Sequence, residues 1–194
     1  MQLHKQDVVE AATALLDDYG IADLSMRRLA RELAVSPGAL YWHFANKQQL
    51  LGAVADRILH PVQVHPNRVP AHWRDHVIDI CGRLREALLS HTDGAELVSA
   101  SFAAGQSAAM SDVLAQLGAA AAEAGVEPIH AELAARTVIY YTLGSTADEQ
   151  SRMQWDAAGA DVPPTVWTEN PNARFAFGLN LLVEGIAAHS RANT

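Results

Sequence analysis

The stretch 24–59 constrains the fold most, because it holds two short amphipathic helices joined by a tight turn and then a third helix with its own start signal. The first helix opens at Ser25, a residue type whose hydroxyl accepts a hydrogen bond from an unpaired helical N–H. Residues 34–35 make the turn. Ser36 then caps a second helix whose first position is Pro37, where the missing N–H would be unpaired in any case.

The second helix is about two turns long and separates a buried side from an exposed one. Leu40 and Phe44 are four residues apart and are predicted to face the core. The remaining surface carries small residues at its start and three large polar-tipped rings further along, namely Gly38, Ala39, Tyr41, Trp42 and His43. For Trp42 two alternatives stay open, exposure on this surface or packing at a junction between domains, because indole is highly buried on average.

A third helix begins at Lys47, because Asn46 caps it and Gln49 lies three residues further on. It is predicted to run through Leu59 until Pro61 stops it.

Charge singles out the same segment. Between residues 25 and 47 four basic side chains face one glutamate, whereas the whole chain has a net charge of −8. Such a small positive patch can dock on phosphates without general attraction to nucleic acid. Arg27 and Lys47 are the stronger candidates. For Arg28 and Arg31 the alternative is that they only cover the outer, solvent-facing side of their helix, where Asp23 is one available ion-pair partner.

Helical spacing dominates the rest of the 194 residues, so an all-α fold is expected. We expect a three-helix head over 1–60, completed by a helix at 5–19, and a body over 61–194. The proline-punctuated stretch 61–71 is predicted to join them, and 157–171 to form a loop. Cys81 is the only cysteine and is interpreted as a core filler. Further helices are expected at 73–91, 95–102, 110–124, 128–155 and 172–190.

The segments VVEAATALLDDYG and LSMRRLARELAVSPGALYWHFANKQQLL resemble the tetracycline-repressor (TetR) family of bacterial transcription regulators. The resemblance implies that 36–44 is the recognition helix of a helix-turn-helix head. It implies phosphate contacts for Tyr41, His43 and Lys47, a backbone or base contact for Arg27, and base-edge contacts for Pro37 and its two successors. The predicted DNA-binding residues are Arg27, Ser36, Pro37, Gly38, Ala39, Tyr41, Trp42, His43 and Lys47.

In the body, ALLSHTDGAEL, YYTLGSTADEQ and FAFGLNLLVEGIAAH are similar to the C-terminal domain of the tetracycline repressors. The resemblance implies that the last two long helices form a four-helix bundle with those of a second subunit. The predicted dimer residues are Phe175, Leu179, Leu182, Val183 and Ile186. The alternative is that this apolar stripe belongs to the core of one chain.

These observations together predict a homodimeric, ligand-responsive repressor of a palindromic operator, located in the bacterial cytoplasm at the nucleoid. Two heads about 34 Å apart would meet successive turns of the duplex. A ligand that prefers the conformation with misplaced heads would release the DNA. Alternatives with the same fold are an activator or a small-molecule sensor. An enzyme is disfavoured, because no catalytic set can be assembled and His91 with Asp93 is only a local pair.

The effector is expected to be an apolar or aromatic small molecule, without cofactor or metal. By resemblance, a histidine, an asparagine and a phenylalanine hold the drug in the tetracycline repressors, and a further histidine holds its magnesium ion. Alignment on Trp73 and 93–94 puts Gln63, Ile80, Leu84 and Val98 at these places, so the polar drug contacts and the metal ligand are absent. Tetracycline with magnesium is therefore not expected as the effector. Apolar and aromatic side chains, with one carboxylate, are the candidate pocket residues: Leu84, Phe102, Met110, Tyr140, Tyr141 and Asp148.

Overall fold

The structure is a computed structural model that describes residues 3–63, 72–160 and 170–192. Within these ranges regular structure is helical and no strand is present, which confirms the all-α prediction. The helices are α1 (Lys5–Tyr19), α2 (Met26–Glu32), α3 (Pro37–Tyr41), α4 (Lys47–Ile58), α5 (His60–Gln63), α6 (Trp73–Leu89), α7 (Gly94–Ala103), α8 (Ala108–Glu123), α9 (Pro128–Ala157) and α10 (Pro171–Ala192).

The chain forms two compact units. The first comprises Met1–Gln63 and Ala87–Ser111, and the second comprises Val64–Glu86 and Asp112–Thr194. The sequence placed a single boundary after residue 60, so it missed that a later segment packs with the N-terminal helices. Of the predicted connector 61–71, the first three residues belong to α5 and the others lie outside the described residues. Most of the predicted loop 157–171 lies outside them as well.

The head helices begin and end where local signals place them. α1 ends at Gly20, whose φ of 78° an L side chain rarely adopts. The Ser25 hydroxyl accepts a hydrogen bond from the Arg28 amide at the start of α2, and the Asn46 side chain accepts one from the Gln49 amide at the start of α4. Buried leucines and one phenylalanine close the core between these helices: Leu16, Leu29, Leu40, Phe44 and Leu50.

Helix α7 belongs to the first unit, and hydrogen bonds connect the turns before and after it to α1 and α4. Asp56 of α4 accepts hydrogen bonds from the Ser107 hydroxyl at 2.7 Å and from the Ala109 amide at 3.0 Å. The Thr92 amide donates to the Asp17 carboxylate at the end of α1. His91 also contacts Asp17, at 3.0 Å, which adds a second interaction between α1 and the α6–α7 turn.

The second unit is built around α9 packed on α10. The Tyr141 hydroxyl donates to the Phe175 carbonyl at 2.9 Å, and their rings stack with centroids 5.7 Å apart. Burial raises the pKa of Tyr141 above its usual value. Arg85 of α6 is buried and makes a bidentate pair with Glu149 of α9 at 2.8 Å. This buried charge is fully paired, as a buried guanidinium needs to be.

In the described part of the chain, no helix has both the length and the hydropathy needed to cross a bilayer.

Candidate DNA-binding surface

Helices α2 and α3 are joined by a reversal that only a few residue types tolerate. Ala34 has a φ of 52°, in the left-handed region, and it turns the chain between the two helices. Ser36 then has an extended backbone and precedes Pro37 at the first position of α3. Ser36 takes the predicted N-cap position of α3, although its side chain makes no capping hydrogen bond.

Helix α3 is shorter than the sequence predicted, since it ends at Tyr41 rather than Phe44. The amides of His43 and Phe44 both donate to the Leu40 carbonyl, at 3.0 and 2.9 Å. Sharing one acceptor tightens the chain into a turn and ends the regular helix. The turn keeps Leu40 and Phe44 on the inner side, where both are buried.

The outer side of this segment presents large rings to solvent. Tyr41 is 51% exposed and Trp42 is 91% exposed. The alternative in which Trp42 packs at a domain junction was therefore wrong. An indole exposed to this degree leaves a large apolar area in water, and aromatic side chains placed in this way are typical of binding surfaces.

The start of α3 is open enough for close approach of another molecule. Ser36, Pro37 and Gly38 are exposed and Ala39 is half-buried. A side chain added at Gly38 would meet only the Ser36 hydroxyl, at 3.7 Å. This small, uncrowded edge matches what the backbone of a recognition helix needs in order to reach base edges in a major groove.

The cations of the head fall into two groups. Arg28 pairs with Asp23 and stacks on the Tyr19 ring, and Arg57 pairs with Glu10 at 3.4 Å. Within the described ranges no carboxylate pairs with the other head cations, Lys5, Arg27, Arg31 and Lys47. For Arg28, the pairing with Asp23 agrees with the alternative in which this arginine lies on the outer face of its helix. Unpaired cations beside an exposed aromatic segment form a surface suited to phosphates.

The residues predicted to form a ligand pocket do not come together in one unit. Phe102 and Met110 belong to the first unit, whereas the other four belong to the second. Tyr140 is exposed, and Asp148 is engaged by Arg152 at 3.1 Å. The interpretation of these six residues as one pocket stays a prediction, because helical spacing along single helices does not reveal which helices share a core. Among the residues described, no group of three His, Cys, Asp or Glu side chains is placed to hold a metal ion.

The burial of the predicted dimer stripe bears on the choice between its two alternatives. Phe175, Leu179, Val183 and Ile186 are buried within one chain, and only Leu182 of that set is partly exposed. This outcome favours the alternative in which the stripe is intrachain core. Phe177 and Leu181, which are not among the predicted dimer residues, are 68% and 60% exposed on the outer face of α10. These two residues are four positions apart in the sequence, and each lies two positions from a residue of the predicted stripe. This spacing indicates a second apolar stripe on the same helix.

An apolar groove of about 340 Å³ lies between α9 and α10 beside this exposed face. Leu133 on α9 and Leu181 on α10 line it and are both exposed. His130 and His189 lie in the same groove, with their rings edge to face at 5.6 Å.

Two family models match the chain. One, described as bacterial regulatory proteins of the tetR family, matches residues 8–54, and the other, described as tetracyclin repressor-like C-terminal domain, matches residues 65–166. The tetracycline repressor protein class A from transposon 1721 of Escherichia coli is 32% identical, with 96% of this chain and 91% of that protein covered.

Solved structures agree with these matches. Mycobacterium smegmatis BioQ has a TM-score of 0.89 and 61% identity, covering 97% of this chain and 99% of that chain. BioQ bound to its natural double-stranded DNA operator has a TM-score of 0.84 and 58% identity, covering 97% of this chain and 100% of that chain.

The helix-turn-helix head and its cationic, aromatic surface define a DNA-binding transcriptional regulator. The chain belongs to the TetR family of bacterial regulatory proteins. It is a ligand-responsive repressor that works on double-stranded DNA as a homodimer, and it is not an enzyme. As a DNA-binding regulator of a bacterial family it is a cytoplasmic protein.

Proposed function

We propose that the chain represses transcription by binding an operator of the kind that BioQ binds, with the 36–47 surfaces of two subunits in neighbouring major grooves. The observation that carries the proposal is the environment of α3 and the turn after it. Leu40 and Phe44 anchor the segment in the core, while Tyr41 and Trp42 face solvent beside an unpaired Lys47. Identity of about 60% along nearly the full length of BioQ supports the choice of operator.

Each predicted residue then has a task that follows from its chemistry. Tyr41, His43 and Lys47 donate hydrogen bonds to phosphate oxygens, which sets register without reading sequence. Arg27 reaches the backbone or a base from α2. The residues that read base edges lie at the open start of α3 and on the exposed ring beyond it: Ser36, Pro37, Gly38, Ala39 and Trp42.

A second copy of the chain covers the exposed apolar face of α9 and α10. Leu133, Phe177 and Leu181 are all more than half exposed on this face, and leaving them in water is unfavourable. The groove of about 340 Å³ beside them gives the partner a recess to fill. Pairing through a two-fold axis fixes the separation of the two heads and so allows a palindrome to be read.

The effector binds within 61–194 and shifts the heads apart or together by favouring one conformation of the dimer. Ile80 and Val98 are buried apolar side chains at the positions where the resemblance puts a drug-binding asparagine and the magnesium-binding histidine of the tetracycline repressors. An apolar or aromatic effector is therefore proposed in place of tetracycline with magnesium. The functional division at residue 60 is part of the same proposal, as is action at the nucleoid.

Binding to labelled duplexes tests this function. The purified protein is titrated into the BioQ operator duplex and into a scrambled duplex of equal length and composition, at one fixed salt concentration. Specific recognition predicts at least about a thousandfold preference for the operator, the lower end for specific DNA-binding proteins. Equal affinity for both duplexes would overturn the proposed operator. In the same assay, tetracycline with magnesium should leave the complex intact.

A further inference from the structure

Lysine is rare in this chain and confined to the head. The sequence contains two lysines, Lys5 and Lys47, and its other permanent cations are all arginines. Lys47 opens α4 directly after the recognition segment, and Lys5 opens α1. The two residues are 42 positions apart in sequence, yet the packing of α1 on α4 places them in one compact unit.

The position of the Lys5 ammonium is defined by Phe44. Its nitrogen lies 4.9 Å from the centre of the Phe44 ring, within the range of a cation–π contact. Phe44 is buried and immediately follows His43, the last ring of the exposed segment. The ammonium of Lys5 is therefore held beside the end of the segment that faces DNA.

The donors of Lys5 are not used by the protein. Across the described residues neither a carboxylate nor another acceptor is placed on its ammonium, whereas Arg57 on the neighbouring α4 is paired with Glu10 of α1. The aromatic ring attracts the positive charge but accepts none of the three N–H groups in a conventional hydrogen bond. An exposed ammonium that lies beside this ring with its donors free is suited to donate to a phosphate oxygen.

We propose that Lys5 contacts a phosphate of the operator backbone, so that the start of α1 forms part of the DNA-binding surface. The contact is to the phosphodiester group, and it adds affinity without sequence preference. This inference rests on the proposed function, because it assigns a further residue to the same complex.

Salt dependence of binding tests the contact. Each phosphate neutralised on B-form DNA contributes about 0.9 to the slope of log affinity against log salt, so two subunits contribute about 1.8. Lys5→Gln should lower the slope by about 1.8 and weaken binding to operator and scrambled duplexes by the same factor. Lys5→Arg should restore both values. Arg57→Gln is the matched control from the same helix bundle, and its slope should equal that of the wild type.

Thermal unfolding without DNA separates a phosphate contact from a purely structural role. If Lys5 only covers the Phe44 ring, Lys5→Gln will lower the melting temperature and leave the salt slope unchanged, which overturns the inference. A slope that falls in Lys47→Gln but not in Lys5→Gln also overturns it while leaving the proposed function intact. If the wild-type protein binds the operator and the scrambled duplex equally, the proposed operator is wrong as well.

Discussion

Two aromatic residues next to the recognition helix show how strongly position decides the role of a side chain. Trp42 and Phe44 are separated by one residue, yet Trp42 is 91% exposed and Phe44 is 1% exposed. Phe44 lies four residues after the buried Leu40 and so returns to the same side of the chain. Trp42 falls on the opposite side. One ring therefore stabilises the fold and the other remains available to DNA.

Replacing each ring by alanine should separate these roles. Trp42→Ala should leave the melting temperature unchanged and lower operator affinity at least about tenfold, or about 1.4 kcal/mol, because only a contact in the complex is lost. Phe44→Ala should cost about 3–5 kcal/mol of folding free energy, because it empties a core position. Urea unfolding and duplex titration measure the two effects. A large loss of stability in Trp42→Ala would contradict the exposed placement of this ring.

Cys81 should behave as a buried thiol that does not ionise in the folded protein. Burial raises its pKa from 9.0 to about 12, and a hydrogen bond with Thr142 opposes this shift only in part. The folded thiol keeps its proton where the unfolded thiol loses it, so this residue's contribution to stability is complete below pH 9 and declines between pH 9 and 12.

Alkylation at pH 8.5 tests this prediction, since only the thiolate reacts. Native protein should react slowly and protein in concentrated urea rapidly. Raising the pH from 8 to 10 should also cost the wild type about 1 kcal/mol more than it costs Cys81→Ala. Rapid alkylation of the native protein would contradict the buried position.

At the scale of elements, the contact of α4 with the turn after α7 depends on a glycine. A Cβ added at Gly52 would lie 2.1 Å from the carbonyl oxygen of Gln106, a backbone atom that cannot turn aside. The absence of a side chain at this position therefore allows close approach of the two segments. Asp56, one turn further along α4, reaches Ser107 from the same face.

Gly52→Ala should accordingly destabilise the protein by about 1–3 kcal/mol, as expected when a well-packed contact is overfilled. Gly82→Ala in α6 is the matched control, because nothing lies within 4 Å of the added Cβ. That control should gain about 0.5–1 kcal/mol, since alanine has the higher helix propensity. Denaturant midpoints provide the comparison. Equal stabilisation by both substitutions would refute the close approach at Gly52.

Local signals were sufficient to predict the helices, and they were insufficient wherever packing decides. The caps at Ser25 and Asn46 are chemical signals within four residues, so α2 and α4 begin where the sequence predicted. The end of α3 depends on two amides that share the Leu40 carbonyl, and no residue type signals that arrangement. The exposed face of α10 could not be chosen correctly, because two apolar stripes were available and only contacts with α9 decide which is buried.

The same limit applies to the pocket and dimer residues predicted in the body. The pocket prediction combined Phe102 with Tyr141, which belong to different compact units. Assigning residues to a shared cavity requires knowledge of which helices pack together, and hydrophobic periodicity gives only the face of each helix. The base-reading and phosphate-contacting residues stay predictions, because assigning their roles requires the complex with DNA.

At the scale of the whole molecule, the assembly of two chains controls whether DNA can be read. Leu181 is 60% exposed and lines the groove between α9 and α10. Leu181→Glu should produce monomers at concentrations where the wild type sediments as a dimer, because a charge would be buried without a partner. Operator affinity should fall with it.

Ile78→Glu is the control for this substitution, because Ile78 is also exposed but lies on α6. It should sediment as the wild type does. If both variants remain dimeric, the face of α9 and α10 is not the interface.

The central claim is that two copies of the 36–47 surface lie in successive major grooves of one duplex. Hydroxyl-radical footprinting of the operator complex tests it most directly, with the mass of the complex measured in parallel. Two subunits on one duplex are expected, with two protected patches whose centres are about 34 Å apart. One protected patch with a single bound subunit, or even protection along the duplex without that spacing, would contradict it.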